Sequence, residues 1–429
     1  MLRALGKIAG PRVMLRALYN VALHLALPFI PLRLWWRGRK EPAYRQQVGE
    51  RFGRYAARPA QPVLWIHAVS LGETRAAEPL VAALRTRYPD HALVVTHMTA
   101  TGREAATQLY GRFATLAYLP YDLPWAARRF VAHFRPRLGI VMETEVWPNL
   151  LRECRRAGVP VLLANARLSE KSAHGYRRAG TLAREALADL AGIAAQTDAD
   201  AARLTALGAR DVEVTGNLKF DIAAAPELIA RGQALRGLFG ERPVLLAAST
   251  REGEEALLLD ALARSPLPRA LTVIVPRHPQ RFDEVAALLR DRGLAFVRRS
   301  EGRPVPAEQS FALGDSMGEM TAYYAAAEVA FVGGSLLPYG AQNLIEACAV
   351  GAPVLIGRST FNFAQAATEA VAAGAAVQVA DADELVREAG RLLADAPARR
   401  RMSEAGRRFC AAHRGATGRT MAIVERLLR

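Results

Sequence analysis

The stretch PVLWIHAVSLGETRAAEPLVAALRTRYPDHALVVTH, residues 62–97, decides the fold. It opens on a short apolar run, 62–69, and closes on another, 92–97, with an amphipathic stretch, 74–87, between them. Two apolar strands joined by a helical crossover predict a parallel pair, and the near-continuous apolarity predicts a sheet covered on both faces. The same alternation continues downstream. Further strands are expected at 115–121, 138–144, 159–165, 192–196 and 212–216, with helical stretches such as 102–109, 147–157 and 174–190 between them.

Residues 221–242 read as polar and helical, a linker. The pattern then restarts. Strands are expected at 243–249, 271–276, 295–299, 310–314, 329–334, 353–357 and 375–380, separated by helices at 252–263, 279–292, 318–327, 342–350 and 364–373. The two halves share an architecture without repeating a sequence. The expected fold class is α/β, with two Rossmann-like domains facing a cleft. The expected boundaries are 1–40 for a membrane anchor with its basic flank, 41–222 for the first domain, 223–242 for the linker, 243–405 for the second domain and 406–429 for a C-terminal helix.

Composition narrows the function. The 429 residues are 51% hydrophobic and carry a formal charge of +16, from 57 Lys and Arg against 41 Asp and Glu. Such a balance favours an anionic partner: nucleic acid, anionic lipid or a phosphorylated substrate. The basic residues are dispersed, with no basic-aromatic run of the nucleic-acid-binding kind, so nucleic acid is not expected. Cys154, Cys348 and Cys410 lie far apart and read as packed thiols in a reducing compartment, with neither a disulfide framework nor zinc spacing. GxGxxG, P-loop and HExxH patterns are all missing from the sequence, which argues against a dehydrogenase, a P-loop NTPase and a zincin.

Residues 17–36, ALYNVALHLALPFIPLRLWW, have the length of a membrane span but are interrupted by Asn20, His24, two prolines and Arg33. Trp35-Trp36 followed by Arg37, Arg39, Lys40 and Arg45 marks a membrane–water interface. Arg33, Arg37, Arg39, Lys40, Arg45, Arg51 and Arg54 outnumber the preceding Arg3, Lys7, Arg12 and Arg16, which places the bulk of the chain on the cytoplasmic side. A spanning helix and one lying in the interface both fit; the alternative is a buried N-terminal helix. A cleaved signal peptide is not expected.

Ligands of open α/β sheets bind beyond the carboxyl ends of the strands. The unusual polar residues fall there: His67-Ala-Val-Ser-Leu-Gly-Glu73, Met142-Glu-Thr-Glu-Val-Trp-Pro-Asn149 and Gly216-Asn-Leu-Lys-Phe-Asp221 in the first half. The second half has Ser249-Thr-Arg-Glu-Gly-Glu-Glu255, Pro276-Arg-His-Pro279, Gly314-Asp-Ser-Met-Gly-Glu319, Gly333-Gly-Ser335 and Asn343-Leu-Ile-Glu346.

These stretches, with THMTATG, LPYDLP, ANARLSEKSAHGY and FNF, run nearly colinearly from about residue 17 to about 365. Together they resemble the Kdo (3-deoxy-D-manno-octulosonic acid) transferases of lipopolysaccharide biosynthesis. The resemblance implies the GT-B fold type, an N-terminal membrane anchor, and inverting, metal-independent transfer of Kdo from CMP-Kdo to a lipid A precursor of the lipid IVA type. It implies no cofactor, and a place at the cytoplasmic face of the bacterial inner membrane. Two departures touch the donor side: Gly340-Ala-Gln-Asn343 where GGHN is common, and Gly357-Arg-Ser-Thr-Phe-Asn-Phe363 where GPHTFNF is common.

Glu73 ends a Gly-containing loop after a strand and begins a helix, so its carboxylate can face the cleft; the resemblance makes it the general base, against the plainer reading of an acid complementing a helix N-terminus. Lys219 is suited to neutralise a departing phosphate and Glu143 to face positive charge on the sugar or to orient the acceptor; the resemblance assigns both to transition-state stabilisation. The plainer readings are a surface lysine and a strand-end salt bridge. Glu145 falls on the same face as Glu143 if the strand continues. The resemblance places CMP contacts at Pro276, Arg277, Met317, Gly318, Glu319, Asn343, Leu344, Ile345 and Glu346. Arg277 can fork a phosphate, and Asn343 and Glu346 share a helix face. Ser316…Glu319 and Ser249…Glu252 also read as helix capping boxes. No metal ligands are expected. The competing functions are a GT-B enzyme with another sugar nucleotide, and a non-catalytic basic protein binding anionic lipid at a membrane.

Overall fold

The computed structural model describes residues 11–56, 58–222, 225–267 and 269–429. The side chains of 11–13 and Lys40 lie outside that description, as do Arg3, Lys7 and the first two residues of the expected linker. Along β1 (Val63–His67) the side chains alternate between the faces of a sheet, as a pleated strand requires. Val63 and Trp65 enter one apolar cluster and Leu64 and Ile66 the other. Six further strands follow: β2 (Ala92–His97), β3 (Ala114–Tyr118), β4 (Pro136–Met142), β5 (Val161–Ala166), β6 (Gly192–Ala195) and β7 (Val212–Val214). They pair in the order β3-β2-β1-β4-β5-β6-β7, all parallel. Trp65 covers Gly139 of β4 so closely that a Cβ there would meet the ring at 2.6 Å, which keeps that position bare.

The second sheet has β8 (Val244–Thr250), β9 (Leu271–Pro276), β10 (Phe296–Arg298), β11 (Phe311–Leu313), β12 (Val329–Val332), β13 (Val354–Ile356) and β14 (Ala376–Gln378). Their order is β10-β11-β9-β8-β12-β13-β14, again all parallel. Every expected strand is present. In the first sheet the strand order reverses between β1 and β4, and in the second between β8 and β12. Reversal makes neighbouring crossovers leave on opposite faces, which opens a crevice at the carboxyl ends.

Several helix boundaries differ from expectation. The stretch 74–87 is two helices, Leu71–Ala76 and Glu78–Arg87, because Pro79 has no N–H to continue the first. The stretch 174–190 is also two, Glu170–Arg178 and Gly180–Ala188, parted where Gly180 turns to φ +57. The expected linker is mostly a helix, Pro226–Phe239, that buries Leu235 and Phe239 and presses Gly232 against Ala322 and Ala325. It packs as part of the second unit. Nor is 406–429 one helix. Ala396–Ala412 stays with the second unit, and Ala416–Leu428 returns to the first, where Met421, Ile423 and Val424 join the cluster of Leu64 and Ile66. The Asp221 carboxylate holds this return by accepting from the N–H groups of Gly415 and Thr417 at 2.7 and 2.6 Å. The compact units are therefore Met1–Ile222 with Arg414–Arg429, and Ala223–His413.

The N-terminal segment forms two helices, Pro11–Ala26 and Phe29–Lys40, bent by 55° at their junction. Among the described residues no single helix is long and apolar enough to cross a membrane; the bent pair meets that length and composition only together. The polar side of the first helix faces the protein. Arg16 donates to the Pro148 carbonyl at 3.0 Å and pairs with Glu185 at 3.2 Å. The Tyr19 hydroxyl donates to Asp122 at 2.9 Å, and Asn149 donates to Asn20 at 2.7 Å. The apolar side faces outward: Leu18, Val21, Leu25, Phe29, Leu32 and Trp36 are each more than half exposed.

Asp122 ties this helix to the sheet. Its carboxylate also accepts from the N–H groups of Asn149 and Leu150, at 2.9 and 2.8 Å, at the start of helix Pro148–Arg156. Asp122→Ala leaves those donors and the Tyr19 hydroxyl without their acceptor in a buried place. We expect unfolding of the first unit to become easier by about 2–4 kcal/mol. Chemical denaturation followed by tryptophan fluorescence measures this, and an unchanged midpoint would show that the carboxylate contributes nothing.

Candidate active site

Glu73 sits beyond the carboxyl end of β1, in the first turn of helix Leu71–Ala76. Ser70 caps that helix, its Oγ accepting from the Glu73 N–H at 3.3 Å and donating to Glu73 Oε1 at 3.0 Å. Glu73 Oε2 accepts from the Val69 N–H at 2.8 Å. The cap therefore fixes the carboxylate against its own loop. Burial pushes its pKa up to about 7, helped by the negative charges of Glu143 and Glu145; the Val69 and Ser70 hydrogen bonds oppose the rise. The plainer reading holds, an acid at a helix N-terminus, and this same carboxyl titrates near neutral pH because it is buried.

Glu143 follows β4, the strand on the other side of the reversal. Its backbone is left-handed, φ +58, a conformation that costs a residue with a Cβ roughly 1–2 kcal/mol. Strained backbone of this kind collects at functional sites. The turn ends the strand at Met142, so the alternation that would put Glu143 and Glu145 on one face does not apply. Burial raises the Glu145 carboxyl as well.

Lys219 lies on the short 3-10 turn Leu218–Asp221 after β7, and its Nζ meets Glu143 Oε1 at 3.2 Å with both side chains largely buried. Two asparagines set that turn: Asn217 Oδ1 accepts from the Lys219 N–H and Asn165 Oδ1 from the Leu218 N–H, each at 3.0 Å. Sequence reasoning missed Asn165. Its φ of +53 inside β5 breaks the strand's register, and only its place in the ANARLS stretch hinted at a role. Glu73, Glu143 and Lys219 are thus gathered by three strand ends. Lys219 and Glu143 form a direct ion pair, as the plainer reading of a strand-end salt bridge has it. His67, in the same stretch as Glu73, is fully buried, accepts or donates at Thr96 Oγ1 at 2.9 Å, and is driven down to about 3 by burial, so it stays neutral.

In the second unit Pro276 ends β9 and Arg277 follows it, with its N–H donating to the Thr250 carbonyl at 3.0 Å and its Nε to Gln342 Oε1 at 3.0 Å. Asn343 caps helix Leu344–Val350, and Glu346 Oε1 accepts from Thr321 Oγ1 at 2.5 Å. The Arg277–Gln342 and Thr321–Glu346 bonds tie the loop after β9 and the helix Met320–Ala325 to the segment Gln342–Glu346. Asn343 and Glu346 are half-buried, whereas the side chains of Leu344 and Ile345 are committed to the core. Met317 is exposed and Gly318 takes φ +80. Glu319 is buried and paired with Arg231 at 3.2 Å and Arg299 at 3.3 Å.

Neither expected capping box forms in this unit. The helix after Ser316 starts only at Met320, and Ser316 Oγ instead donates to Glu319 Oε2 at 2.5 Å. After β8 the acid that ties the loop is Glu254, not Glu252. It accepts from the N–H groups of Arg251, Gly334 and Leu336 at 2.8, 2.6 and 3.0 Å.

Residues 46–222 match the family described as 3-deoxy-D-manno-octulosonic-acid transferase, and residues 295–409 match the group 1 glycosyl transferases. A 3-deoxy-D-manno-octulosonic acid transferase of Bordetella pertussis is 48% identical over 425 residues, covering 96% of this chain and 99% of that protein. The chain belongs to the 3-deoxy-D-manno-octulosonic acid (Kdo) transferase family. A second member, from Haemophilus influenzae, is 36% identical over 420 residues and covers 96% of this chain and 98% of its own length. A UDP-GlcNAc 2-epimerase from Neisseria meningitidis bound to UDP-GlcNAc has the same fold, with a TM-score of 0.59 at 16% identity over 86% of this chain and 100% of that one.

This Kdo transferase is therefore a glycosyltransferase of the GT-B fold type, acting in lipopolysaccharide biosynthesis. Its two departures from the usual donor-side pattern have defined partners. Gln342 receives Arg277, and Ser359 Oγ accepts from the Gly340 N–H at 3.0 Å.

The charge coupling in the first unit is testable. Glu143→Gln removes a negative neighbour of Glu73 and frees the Lys219 cation, and both changes favour the ionised Glu73. Its titration midpoint is expected to fall below 7, read by carbon NMR of labelled glutamate carboxyls. A midpoint that stays or rises would show that Glu143 does not act on Glu73.

Proposed function

We propose that this Kdo transferase takes its sugar from CMP-Kdo and passes it to a hydroxyl of a lipid A precursor at the membrane surface, inverting the anomeric centre, with Glu73 as base. The observation that carries this reading is the Glu73 carboxyl, pushed up to about 7 at the reversal point of the first sheet. A general base works best when its pKa lies near the operating pH. In the step proposed, the acceptor hydroxyl oxygen bonds to the anomeric carbon while the bond from that carbon to the CMP phosphate oxygen breaks. CMP leaves with the electron pair, and the hydroxyl proton passes to Glu73. Ser70 and Val69 orient the carboxylate. Lys219, paired with Glu143, supplies positive charge to the departing phosphate, and Glu143 faces the charge developing on the sugar ring.

For the donor, Arg277 offers a fork to phosphate, steadied by Gln342, and Glu346 with Asn343 offers acceptors to the ribose hydroxyls. Pro276, Met317 and Gly318 shape the same loops, and Leu344 and Ile345 act through their backbone alone. Glu319 acts indirectly, by holding Arg231 and Arg299. Among the described residues no group of three His, Cys, Asp or Glu side chains is arranged to hold a metal ion. Lys219 and Arg277 provide cationic charge, and the reaction needs no cofactor in this reading.

The N-terminal helices attach the enzyme to the cytoplasmic face of the bacterial inner membrane, lying in the interface rather than spanning it. The polar side of the first helix is consumed by Glu185, Asp122, Pro148 and Asn149, and apolar side chains of both helices are left outward.

With EDTA present throughout, kcat/KM for transfer from CMP-Kdo to the lipid acceptor should rise with pH through a limb near 7, because the working form of Glu73 is the carboxylate. Glu73→Gln should lower transfer about 10²-fold or more and erase that limb while CMP-Kdo binding by calorimetry persists. Turnover with a UDP-sugar instead, or a limb that survives the substitution, would overturn the assignment.

The attachment has its own test. Leu18→Glu/Leu25→Glu/Phe29→Glu changes outward side chains only, so the folded protein should move from the membrane to the soluble fraction. Washing the unsubstituted protein with molar salt should leave it bound, since apolar insertion is not screened. Complete release by salt would reduce the attachment to charge alone.

A further inference from the structure

Beside the outward apolar surface, three arginines converge without a counter-charge. Arg33 and Arg37 are four residues apart on helix Phe29–Lys40, so they share a face. The guanidinium groups of Arg37 and Arg51 both lie over the Tyr44 ring, 5.1 and 5.7 Å from its centre; burial raises the Tyr121 hydroxyl and the charges of Arg51, Arg33 and Arg37 oppose the rise. Arg51 is 1% exposed. Its Nη1 donates to the Met98 carbonyl at 3.1 Å, and its guanidinium lies 3.8 Å from the centre of the Tyr118 ring. Its Nε and Nη2 have no hydrogen-bond partner of normal geometry. Among the described residues no carboxylate pairs with Arg33, Arg37 or Arg51, whereas nearby Arg103 has Glu50 at 2.5 Å.

This arrangement is costly as it stands. A guanidinium out of water without an anion loses several kcal/mol of solvation, of which stacking on tyrosine recovers part. Two arginines at i and i+4 repel each other. A phosphate carrying two charges answers all three, because guanidinium forks match its oxygens and Tyr121 adds a hydroxyl donor.

The position narrows the source of that phosphate. Leu32 and Trp36, each next to one of the two helical arginines, are more than half exposed, so the cluster sits at headgroup depth if the helix lies in the interface. Tyr121 follows β3, and Glu73 follows β1, two places along the sheet. At roughly 4.8 Å per strand the two strands they follow lie about 10 Å apart, a span of the order of one glycolipid headgroup.

We propose that Arg33, Arg37, Arg51 and Tyr121 form a site for a phosphomonoester on a membrane lipid, and that this site holds the headgroup of the acceptor while its hydroxyl reaches Glu73. The second half rests on the lipid-acceptor reading above.

The test uses the full chain and flotation with phosphatidylcholine vesicles containing either phosphatidic acid, a phosphomonoester, or phosphatidylglycerol, a phosphodiester, at matched surface charge. The protein should prefer phosphatidic acid. Arg33→Gln/Arg37→Gln should weaken binding to those vesicles about 10-fold and abolish the preference. Arg39→Gln/Arg45→Gln removes the same charge from residues that stack on Trp35 instead, and should keep the preference. In the transfer assay the Arg33/Arg37 variant should raise KM for the lipid acceptor with little change in kcat. No preference in the parent protein, or equal loss from both double variants, would reduce the cluster to diffuse charge and overturn the proposal. Failure of the acceptor reading looks different: the vesicle preference would persist while the parent protein transferred Kdo to no lipid.

Discussion

Every hydrogen-bonded pair in both sheets joins parallel strands, and the rest of the molecule follows from that constraint. Parallel strands need a crossover after each, and the crossovers cover both faces of the sheet. Chemistry is left one place, the carboxyl ends, and the widest opening there lies where the strand order reverses. Glu73 and Glu143 stand beyond the carboxyl ends of the two strands that flank the reversal in the first unit. The low-dielectric surroundings that bury β1 and β4 are also what raise the Glu73 carboxyl, so core packing and proton chemistry have a single cause.

Strand positions were legible in the sequence because a strand buried on both faces is an uninterrupted apolar run, as in PVLWIHAV and LTVIVP. Strand order was not, since crossover runs look alike whichever neighbour they reach. Helix breaks turned on single residues, Pro79 and Gly180, inside stretches whose periodicity reads straight through. The site residues were visible as polar loops at strand ends, but their mutual geometry depends on backbone turns that no periodicity records. Glu143 and Asn165 both take left-handed conformations that neither residue announces. The capping boxes failed for a related reason. Ser249 and Ser316 fit the spacing, yet Glu254 and the Ser316–Glu319 pair satisfy those loops through contacts that link distant segments.

The N-terminal helices invert the usual partition of a surface helix. Arg16, Tyr19 and Asn20 spend their hydrogen-bonding capacity on the protein, leaving leucines, a phenylalanine and tryptophans outward. A helix docked through polar contacts is held by geometry, because each hydrogen bond fixes an angle as well as a distance. Asp122, in the loop after β3, and Asn149, in the first turn of the helix after β4, receive this helix, so the outward apolar surface is held in register with the same sheet edge that carries Glu143.

The return of helix Ala416–Leu428 to the first unit imposes an order on biosynthesis. That helix fills one face of the first sheet, yet it is synthesised only after all of residues 223–413. At ordinary elongation rates of about 5–20 residues per second, the face around Leu64, Ile66, Leu138 and Ile140 waits roughly 10–40 s for its cover. During that interval the nascent chain presents this apolar face in addition to the outward surface of the N-terminal helices. The second unit, by contrast, has all of its segments synthesised before the first unit can close, which makes it the natural first structure to mature on this chain.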